Sequence, residues 1–149
     1  MGLLEIEGVT HWSIPVDDLE VSEEFYGDLM GLTPLGRLGN SVMSCFNVGG
    51  HNMLLCQRQH PSQRGSDDEH GAHHSVTVTP EVFEKACGIF LERNVPVEHL
   101  PYRAKGFFTD RELYFFDPSG NRLELRDPTW QEDMPQPPFE ELAHRQRSS

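Results

Sequence analysis

The stretch HWSIPVDDLEVSEEFYGDLMGLTPL, residues 11–35, decides the fold because the chain repeats its pattern. When the sequence is shifted along itself until His11 meets His73, this stretch lies without a gap over HHSVTVTPEVFEKACGIFLERNVPV. Identical residues also align elsewhere in this frame: Ser13 with Ser75 and Pro34 with Pro96. Self-similarity of this kind indicates that one structural unit occurs twice along the chain.

Each copy predicts a β-strand followed by an α-helix. Apolar and polar residues alternate over 11–16 and over 73–78, which gives each strand one apolar face for packing against a helix and one polar face. Capping residues then mark where each helix begins, and residues that tolerate the left-handed conformation mark where it ends. These residues are Asp17 with Glu20 and Gly31 in the first copy, and Thr79 with Pro80 and Asn94 in the second.

Strand-forming runs follow the helix in both copies. In the first copy they are 32–37, 41–48 and 52–57, separated by turns at Gly39-Asn40 and Gly49-Gly50. In the second copy they are 95–100, 112–116 and 122–126, with a loop over 101–110 and a turn over 117–120. Each copy is therefore a βαβββ unit. The predicted fold is α+β: the two units pair their sheets into a curved half-barrel, with helices outside and a polar metal-binding cavity inside.

The two copies are predicted to form a single domain over residues 1–127. Repeat one covers about 6–57, a polar linker covers 58–71, and repeat two covers about 72–127. The remaining residues, 128–149, form a proline-rich C-terminal tail with few apolar anchors. We expect this tail either to lie on a neighbouring surface or to be disordered.

Composition narrows the classes of function. The chain has 149 residues and a formal net charge of -12, so most of its surface repels nucleic-acid phosphates and anionic membranes. No stretch approaches the ~20 apolar residues of a membrane span, and the first residues lack the basic region of a secretory signal. The three cysteines are scattered without CxxC spacing, which argues against a disulfide framework or a thiolate zinc site. We therefore expect a cytoplasmic protein whose partner is a small-molecule substrate, neither nucleic acid nor membrane.

Histidine is unusually frequent, with eight residues, and two of them occupy equivalent positions on the polar strand faces. His11 and His73 are expected to enter the predicted cavity, and Glu124 joins them from the last strand of the second copy. Two imidazoles and one carboxylate suit a divalent metal and leave coordination positions for water and substrate, as in the arrangement associated with non-haem Fe(II). The residues thus predict a site for one divalent metal.

Residues 6–127 resemble the vicinal oxygen chelate superfamily, which contains glyoxalase I, bleomycin-resistance proteins, fosfomycin-resistance thiol transferases and extradiol ring-cleaving dioxygenases. The most specific piece is LYFFDPSGNRLEL, which is similar to the family's strand-turn-strand ending in a metal-binding glutamate. The resemblance implies that His11, His73 and Glu124 are the metal ligands, with His74 as the alternative to His73.

The same resemblance implies roles for other residues. Leu54 aligns with the position where glyoxalase I has a fourth, carboxylate ligand, so the site is expected to be of the three-ligand type. Tyr114 resembles the tyrosine that dioxygenases and thiol transferases turn towards the substrate, where its hydroxyl could donate a hydrogen bond. Ser13 is similar to a hydroxyl residue of the thiol transferases, and Lys105 lies one position from their lysine.

Three functions follow from the resemblance. The first is an extradiol-type dioxygenase that cleaves a small catechol-like compound with Fe(II). Such dioxygenases usually have an acid-base histidine in the loop that here reads PYRAKGFFTD and contains none. Arg103, Lys105 or His60 would therefore have to replace it. The second is a glyoxalase-like lyase or isomerase, or a thiol transferase, that uses Mn(II), Zn(II) or Ni(II) as a Lewis acid. The third is a metal-free drug-binding resistance protein. The family also implies a homodimer, and the acidic surface argues against a highly anionic substrate.

Overall fold

The computed structural model describes residues 3–39, 42–60 and 72–149. Two compact units make up the chain, Met1–Gln63 and Arg64–Ser149. Most of the predicted linker over 58–71 and part of the turn at Gly39-Asn40 lie outside the described residues. Within the described part of the chain, no helix has the length and apolar character needed to cross a membrane.

The first unit contains one four-stranded sheet and one helix. Its elements are β1 (His11–Val16), α1 (Leu19–Glu24), which continues into a π-helical turn (Phe25–Leu29), β2 (Thr33–Leu38), β3 (Met43–Val48) and β4 (His51–Gln57). The strand order is β1-β4-β3-β2, with β1 parallel to β4 and the other neighbours antiparallel. The predicted turn at Gly49-Gly50 joins β3 to β4, and both glycines have positive φ angles, as the tightest hairpin turns require.

The second unit repeats this topology and adds a helix. Its elements are β5 (His74–Thr77), α2 (Pro80–Glu92), β6 (Val97–His99), β7 (Tyr102–Arg103), β8 (Asp110–Phe116), β9 (Arg122–Asp127) and α3 (Phe139–Ser148). The strand order is β5-β9-β8-β6, with β5 parallel to β9 and β7 paired with β8. Since a parallel first and last strand recur in both units, the βαβββ repeat and the α+β class are confirmed.

The helix caps agree with the predicted residues in three cases and differ in one. Thr79 caps α2 by accepting a hydrogen bond from the Val82 N–H, and Pro80 occupies the first helical position. Gly31 and Asn94 both have the left-handed conformation after their helices. In α1, however, the cap is Asp18 rather than Asp17, because the Asp18 side chain accepts from the Val21 N–H at 3.0 Å.

The apolar strand faces form the core of each unit. In the first unit, Ile14 and Val16 of β1 are completely buried. In the second unit, Leu123 and Leu125 are buried as predicted, and the Phe90 ring of α2 packs 4.5 Å from the Phe115 ring of β8. The opposite strand faces are therefore left to carry the polar residues.

The tail is ordered on the surface of the second unit, so the first of its two predicted states is correct. Its helix α3 packs on α2, with Leu142 and Ala143 completely buried. Gly88 of α2 permits this approach, because a Cβ there would lie 2.7 Å from the Gln146 Cβ. Upstream of α3, the buried Trp130 indole donates to the Pro135 carbonyl at 2.9 Å.

The predicted loop over 101–110 is partly wrong, because it contains β7 and the first residue of β8. Tyr102 pairs with Arg111, and its hydroxyl donates a hydrogen bond to the Pro137 carbonyl at 2.5 Å. The Tyr102 ring also lies 5.1 Å from the Trp130 ring. A contact from the tail thus stabilises a two-residue strand that no local pattern indicates.

Candidate metal and substrate site

The strand register of the second unit places three polar side chains in one row. Glu124 of β9 pairs with Ser75 of β5 on one side and with Tyr114 of β8 on the other. Residues that pair in register project from the same face of a sheet. Ser75, Glu124 and Tyr114 therefore share the polar face, opposite the leucines of the core.

His73 directly precedes β5 and extends this row. Its Nε2 atom lies 3.1 Å from Oε2 of Glu124, whose side chain is only 6% exposed. The His73 ring also contacts the Tyr114 ring edge to face, with 5.6 Å between the centroids. The alternative, His74, pairs in register with the buried Leu123. The structure therefore brings His73, rather than His74, to Glu124.

The His73–Glu124 pair suits a divalent metal. Ligand atoms about 2.0–2.2 Å from one ion lie roughly 3.3–3.6 Å apart at the tetrahedral angle and roughly 2.8–3.1 Å apart at the 90° angle of octahedral geometry. The 3.1 Å between Nε2 and Oε2 is close to the octahedral spacing. An imidazole and a carboxylate are donors that Fe, Mn, Zn and Ni all accept. These two side chains could therefore hold adjacent positions around one ion.

The first unit contains the other two predicted site residues. His11 and Ser13 are exposed on β1, where they pair with Asn52 and Leu54 of β4. Among the described residues, neither unit by itself gathers three His, Cys, Asp or Glu side chains in a metal-binding cluster. His11 remains the repeat equivalent of His73, and its role as a ligand remains a prediction.

A cavity of about 480 Å³ opens in front of the His73–Glu124 pair. Tyr114 and Lys105 both line it, so the structure brings two of the three predicted catalytic residues to one place. Its walls come from β5, β8, β9 and the loop between β7 and β8. The full lining is His73, Ser75, Arg103, Lys105, Gly106, Phe107, Phe108, Glu112, Tyr114, Glu124 and Arg126.

Two ion pairs stabilise one carboxylate in the cavity wall and one behind it. Arg103 binds both oxygens of the buried Glu112, at 2.9 and 3.0 Å from its Nε. Arg126 binds the completely buried Asp110. Burial raises the pKa of Asp110, the hydrogen bond from Arg126 opposes this rise, and the neighbouring Glu112 adds to it. The positive charges of Arg103 and Arg126 are therefore neutralised by carboxylates of the protein.

Tyr114 lies between aromatic and charged neighbours. Its ring stacks on His99 at 4.7 Å, and the Arg122 guanidinium lies 4.2 Å from the ring centroid. Burial is the main cause that raises the pKa of Tyr114, followed by hydrogen bonding with Glu112 and the negative charge of Glu124. The hydroxyl is thus a proton donor within the cavity at neutral pH.

Several site residues were not predicted as such from the sequence. Glu112, Phe107 and Phe108 line the cavity, and His99, for which the sequence predicted no role, contacts Tyr114. A signal for Glu112 exists in the alternation of DRELYFF, which places Asp110, Glu112 and Tyr114 on one strand face. No comparable signal marks the two phenylalanines, because their loop has no periodicity.

A comparison with protein-family profiles identifies the superfamily of this chain. The Glyoxalase/Bleomycin resistance protein/Dioxygenase superfamily profile matches residues 8–125. The chain belongs to this superfamily, as the resemblance over 6–127 implied.

Two relatives have established activities. The chain is 25% identical over 133 residues to the metallothiol transferase FosB of Staphylococcus epidermidis, covering 88% of this chain and 89% of that protein. It is 27% identical over 120 residues to the metallothiol transferase FosB of Staphylococcus haemolyticus, covering 80% of this chain and 83% of that protein.

Solved structures share the fold at low sequence identity. A glyoxalase/dioxygenase from Nostoc punctiforme has a TM-score of 0.69 at 21% identity, covering 87% of this chain and 97% of that chain. A variant of the fosfomycin resistance protein FosX from Listeria monocytogenes, complexed with Mn(II) and 1S,2S-dihydroxypropylphosphonic acid, has a TM-score of 0.67 at 18% identity. That match covers 84% of this chain and 95% of that chain.

Proposed function

We propose that the protein is a divalent-metal-dependent enzyme that transfers a thiol to a small oxygen-bearing electrophile. The observation that carries this proposal is the His73–Glu124 pair at the wall of a cavity that also contains Tyr114 and Lys105. His11, the repeat equivalent of His73, is the proposed third ligand. A metal held there would supply Lewis-acid polarisation of a substrate oxygen.

The chain's own residues would bind and orient the substrate. In the addition of a thiol to an epoxide, a sulfur–carbon bond forms, a carbon–oxygen bond breaks, and the oxygen gains the proton that the thiol loses. The Tyr114 hydroxyl, which belongs to the cavity lining, would donate a hydrogen bond to that oxygen as negative charge develops on it. Lys105 supplies a positive charge for an anionic substituent of the substrate. The reaction involves no change of oxidation state.

Two observations favour transfer over ring cleavage. The curated relatives at 25% and 27% identity are metallothiol transferases. In addition, His73, itself a proposed metal ligand, is the single histidine among the described residues that line the cavity, so the second unit supplies no further lining histidine for acid-base chemistry. Because a Lewis acid needs no redox change, Mn(II), Zn(II) or Ni(II) would serve in place of Fe(II), which the dioxygenase hypothesis favoured. We extend the proposal to a cytoplasmic homodimer, as the superfamily implies.

Metal content and turnover test the proposal together. Protein purified without oxygen or chelator would be analysed for metals beside His73→Ala and His11→Ala, and then incubated with fosfomycin and a thiol such as glutathione or cysteine. We expect about one equivalent of a divalent metal, lost in both variants, and a new phosphorus NMR signal from the thiol adduct. Iron with oxygen uptake on catechols would overturn the transferase in favour of the dioxygenase. If the protein binds no metal even after reconstitution, the metal-free drug-binding protein is the remaining hypothesis.

A further inference from the structure

Two exposed phenylalanines stand at the mouth of the cavity. Phe107 is 95% exposed and Phe108 is 54% exposed, and both line the cavity. Large apolar side chains that are exposed together beside a cavity mark binding surfaces more often than isolated surface residues do. The proposed metal chemistry uses neither ring, so their position needs another explanation.

The loop over 104–109 presents these rings in a defined arrangement. Gly106 has a φ angle of +115°, a conformation that other residues rarely adopt, directly before Phe107. The two rings contact edge to face with 5.0 Å between centroids, and the Arg126 guanidinium lies 5.1 Å from the Phe108 ring centroid. Phe108 is thus supported from β9, while the face of Phe107 is open to solvent.

Lys105 is the one cation of the cavity, within the described residues, that forms no salt bridge. Arg103 and Arg126 are both paired with buried carboxylates, whereas Lys105 is exposed and lines the same wall. An anion that enters the cavity therefore meets, two residues from Phe107, a positive charge that no described carboxylate neutralises. This local positive charge favours an anion at that wall of the cavity, although the net charge of the chain is -12.

We propose that the cavity selects substrates in which an oxyanion is joined to an aromatic or similarly flat apolar group. The oxyanion faces Lys105, and the apolar group packs against Phe107 and Phe108. The volume of about 480 Å³ leaves room for this class, because ligand-binding cavities of roughly 300–1,000 Å³ accommodate drug-sized ligands. This inference deepens the proposed function, and it rests on that function only for the assumption that substrates occupy this cavity.

A matched pair of phosphonates tests the selection. Methylphosphonate and phenylphosphonate carry the same anion, and only the second carries a ring. Burying a phenyl group against Phe107 and Phe108 is expected to strengthen binding about tenfold or more. Titration calorimetry would be run with chelator present and again with the protein loaded with Mn(II), so that metal coordination is separated from the contribution of the loop.

Two variants and a control separate the contributions of Phe107 and Lys105 to ligand binding. Phe107→Ala should remove most of the preference for phenylphosphonate and leave the affinity for methylphosphonate unchanged. Lys105→Gln should weaken both ligands by a similar factor. Met134→Ala, which removes an apolar side chain that is 42% exposed in the tail and does not line the cavity, serves as the matched control and should change neither.

Each outcome decides one part of the inference. Equal affinity for the two phosphonates, or a preference that survives Phe107→Ala, would overturn the aromatic selection. Unchanged affinities in Lys105→Gln would overturn the role of the lysine. Since Phe107 is almost fully exposed, its replacement does not threaten folding. A preference that persists in a protein without thiol-transfer activity would refute the proposed function and leave the selectivity intact.

Discussion

Leu54 pairs with Ser13 in the first unit as Glu124 pairs with Ser75 in the second. The two units thus place an apolar side chain and a proposed metal ligand at equivalent positions of the same register. This relationship supports the sequence alignment that located Leu54 at the site of a possible fourth carboxylate ligand. The two units therefore differ at the position that supplies the proposed carboxylate ligand, with Leu54 in the first unit and Glu124 in the second.

Leu54→Glu should convert the proposed three-ligand site into a four-ligand one. We expect the affinity for Zn(II) or Ni(II) to rise about tenfold, because an added carboxylate donor fills a coordination position. Competition with a fluorescent chelator would measure the change. Asn52→Glu adds the same charge on the same strand face opposite His11, and an equal gain in that variant would contradict the specific role of the Leu54 position.

Gly88→Ala should destabilise the second unit. The new methyl group would meet the Cβ of Gln146 at 2.7 Å, so α3 would have to move away from α2. Overpacking of this kind costs about 1–3 kcal/mol. Urea unfolding followed by circular dichroism would report the loss.

Gly27→Ala is the matched control for the helix-packing prediction. Gly27 lies in the π-helical turn after α1, and a Cβ there would meet the Phe46 ring at an ordinary contact distance of 3.5 Å. Since alanine restricts the unfolded chain more than glycine does, this variant should be neutral or slightly stabilised. Equal destabilisation of both variants would show that the close approach of α3 is not the cause.

Asp127 should contribute to stability at neutral pH and lose that contribution in acid. Burial raises the pKa of this carboxyl group, but hydrogen bonds from Thr129 and the Arg111 guanidinium outweigh burial and lower it. Because the folded-state pKa lies below the unfolded one, the stabilisation is present above about pH 4 and disappears as the pH falls through the folded value. Asp127→Asn should therefore cost about 1–3 kcal/mol at pH 7 and progressively less as the pH falls below about 4. A destabilisation that is the same at both pH values would argue against the ionised form as its source.

Cys87 should resist thiol reagents while the protein is folded. Burial in α2 is the main cause that raises the pKa of its thiol to about 12. Cys56 is half-buried on β4 and should react first. Mass spectrometry after treatment with a maleimide at pH 8 would locate the label. Labelling of Cys87 as fast as Cys56 would mean that α2 opens locally in the native protein.

Much of the fold could be predicted because its signals are local. The alternation over 11–16, the cap at Thr79 and the left-handed Gly31 and Asn94 all depend on neighbours within a few residues. The single displaced cap, Asp18 instead of Asp17, follows from two adjacent aspartates that satisfy the same pattern. Local signals therefore defined the units to within a residue or two.

The parts that could not be predicted depend on contacts between distant residues. Strand β7 exists where Tyr102 reaches Pro137, and the buried Glu112 is stabilised by Arg103 from that same strand. A role for Phe107 and Phe108 can be inferred only from the cavity that they line. His73 and Glu124 were predictable because a motif named them, but their separation of 3.1 Å required the register of β5 against β9.

The docked C-terminal helix protects apolar side chains of the second unit from solvent. With α3 in place, Leu142 and Ala143 are shielded on α2, and Trp130 is closed in beside Tyr102. Cleavage anywhere between β9 and α3 would release an apolar stripe of the kind that chaperones and proteases recognise. The tail therefore covers apolar surface of the second unit, and we expect a chain cleaved in this segment to be degraded faster than the intact one.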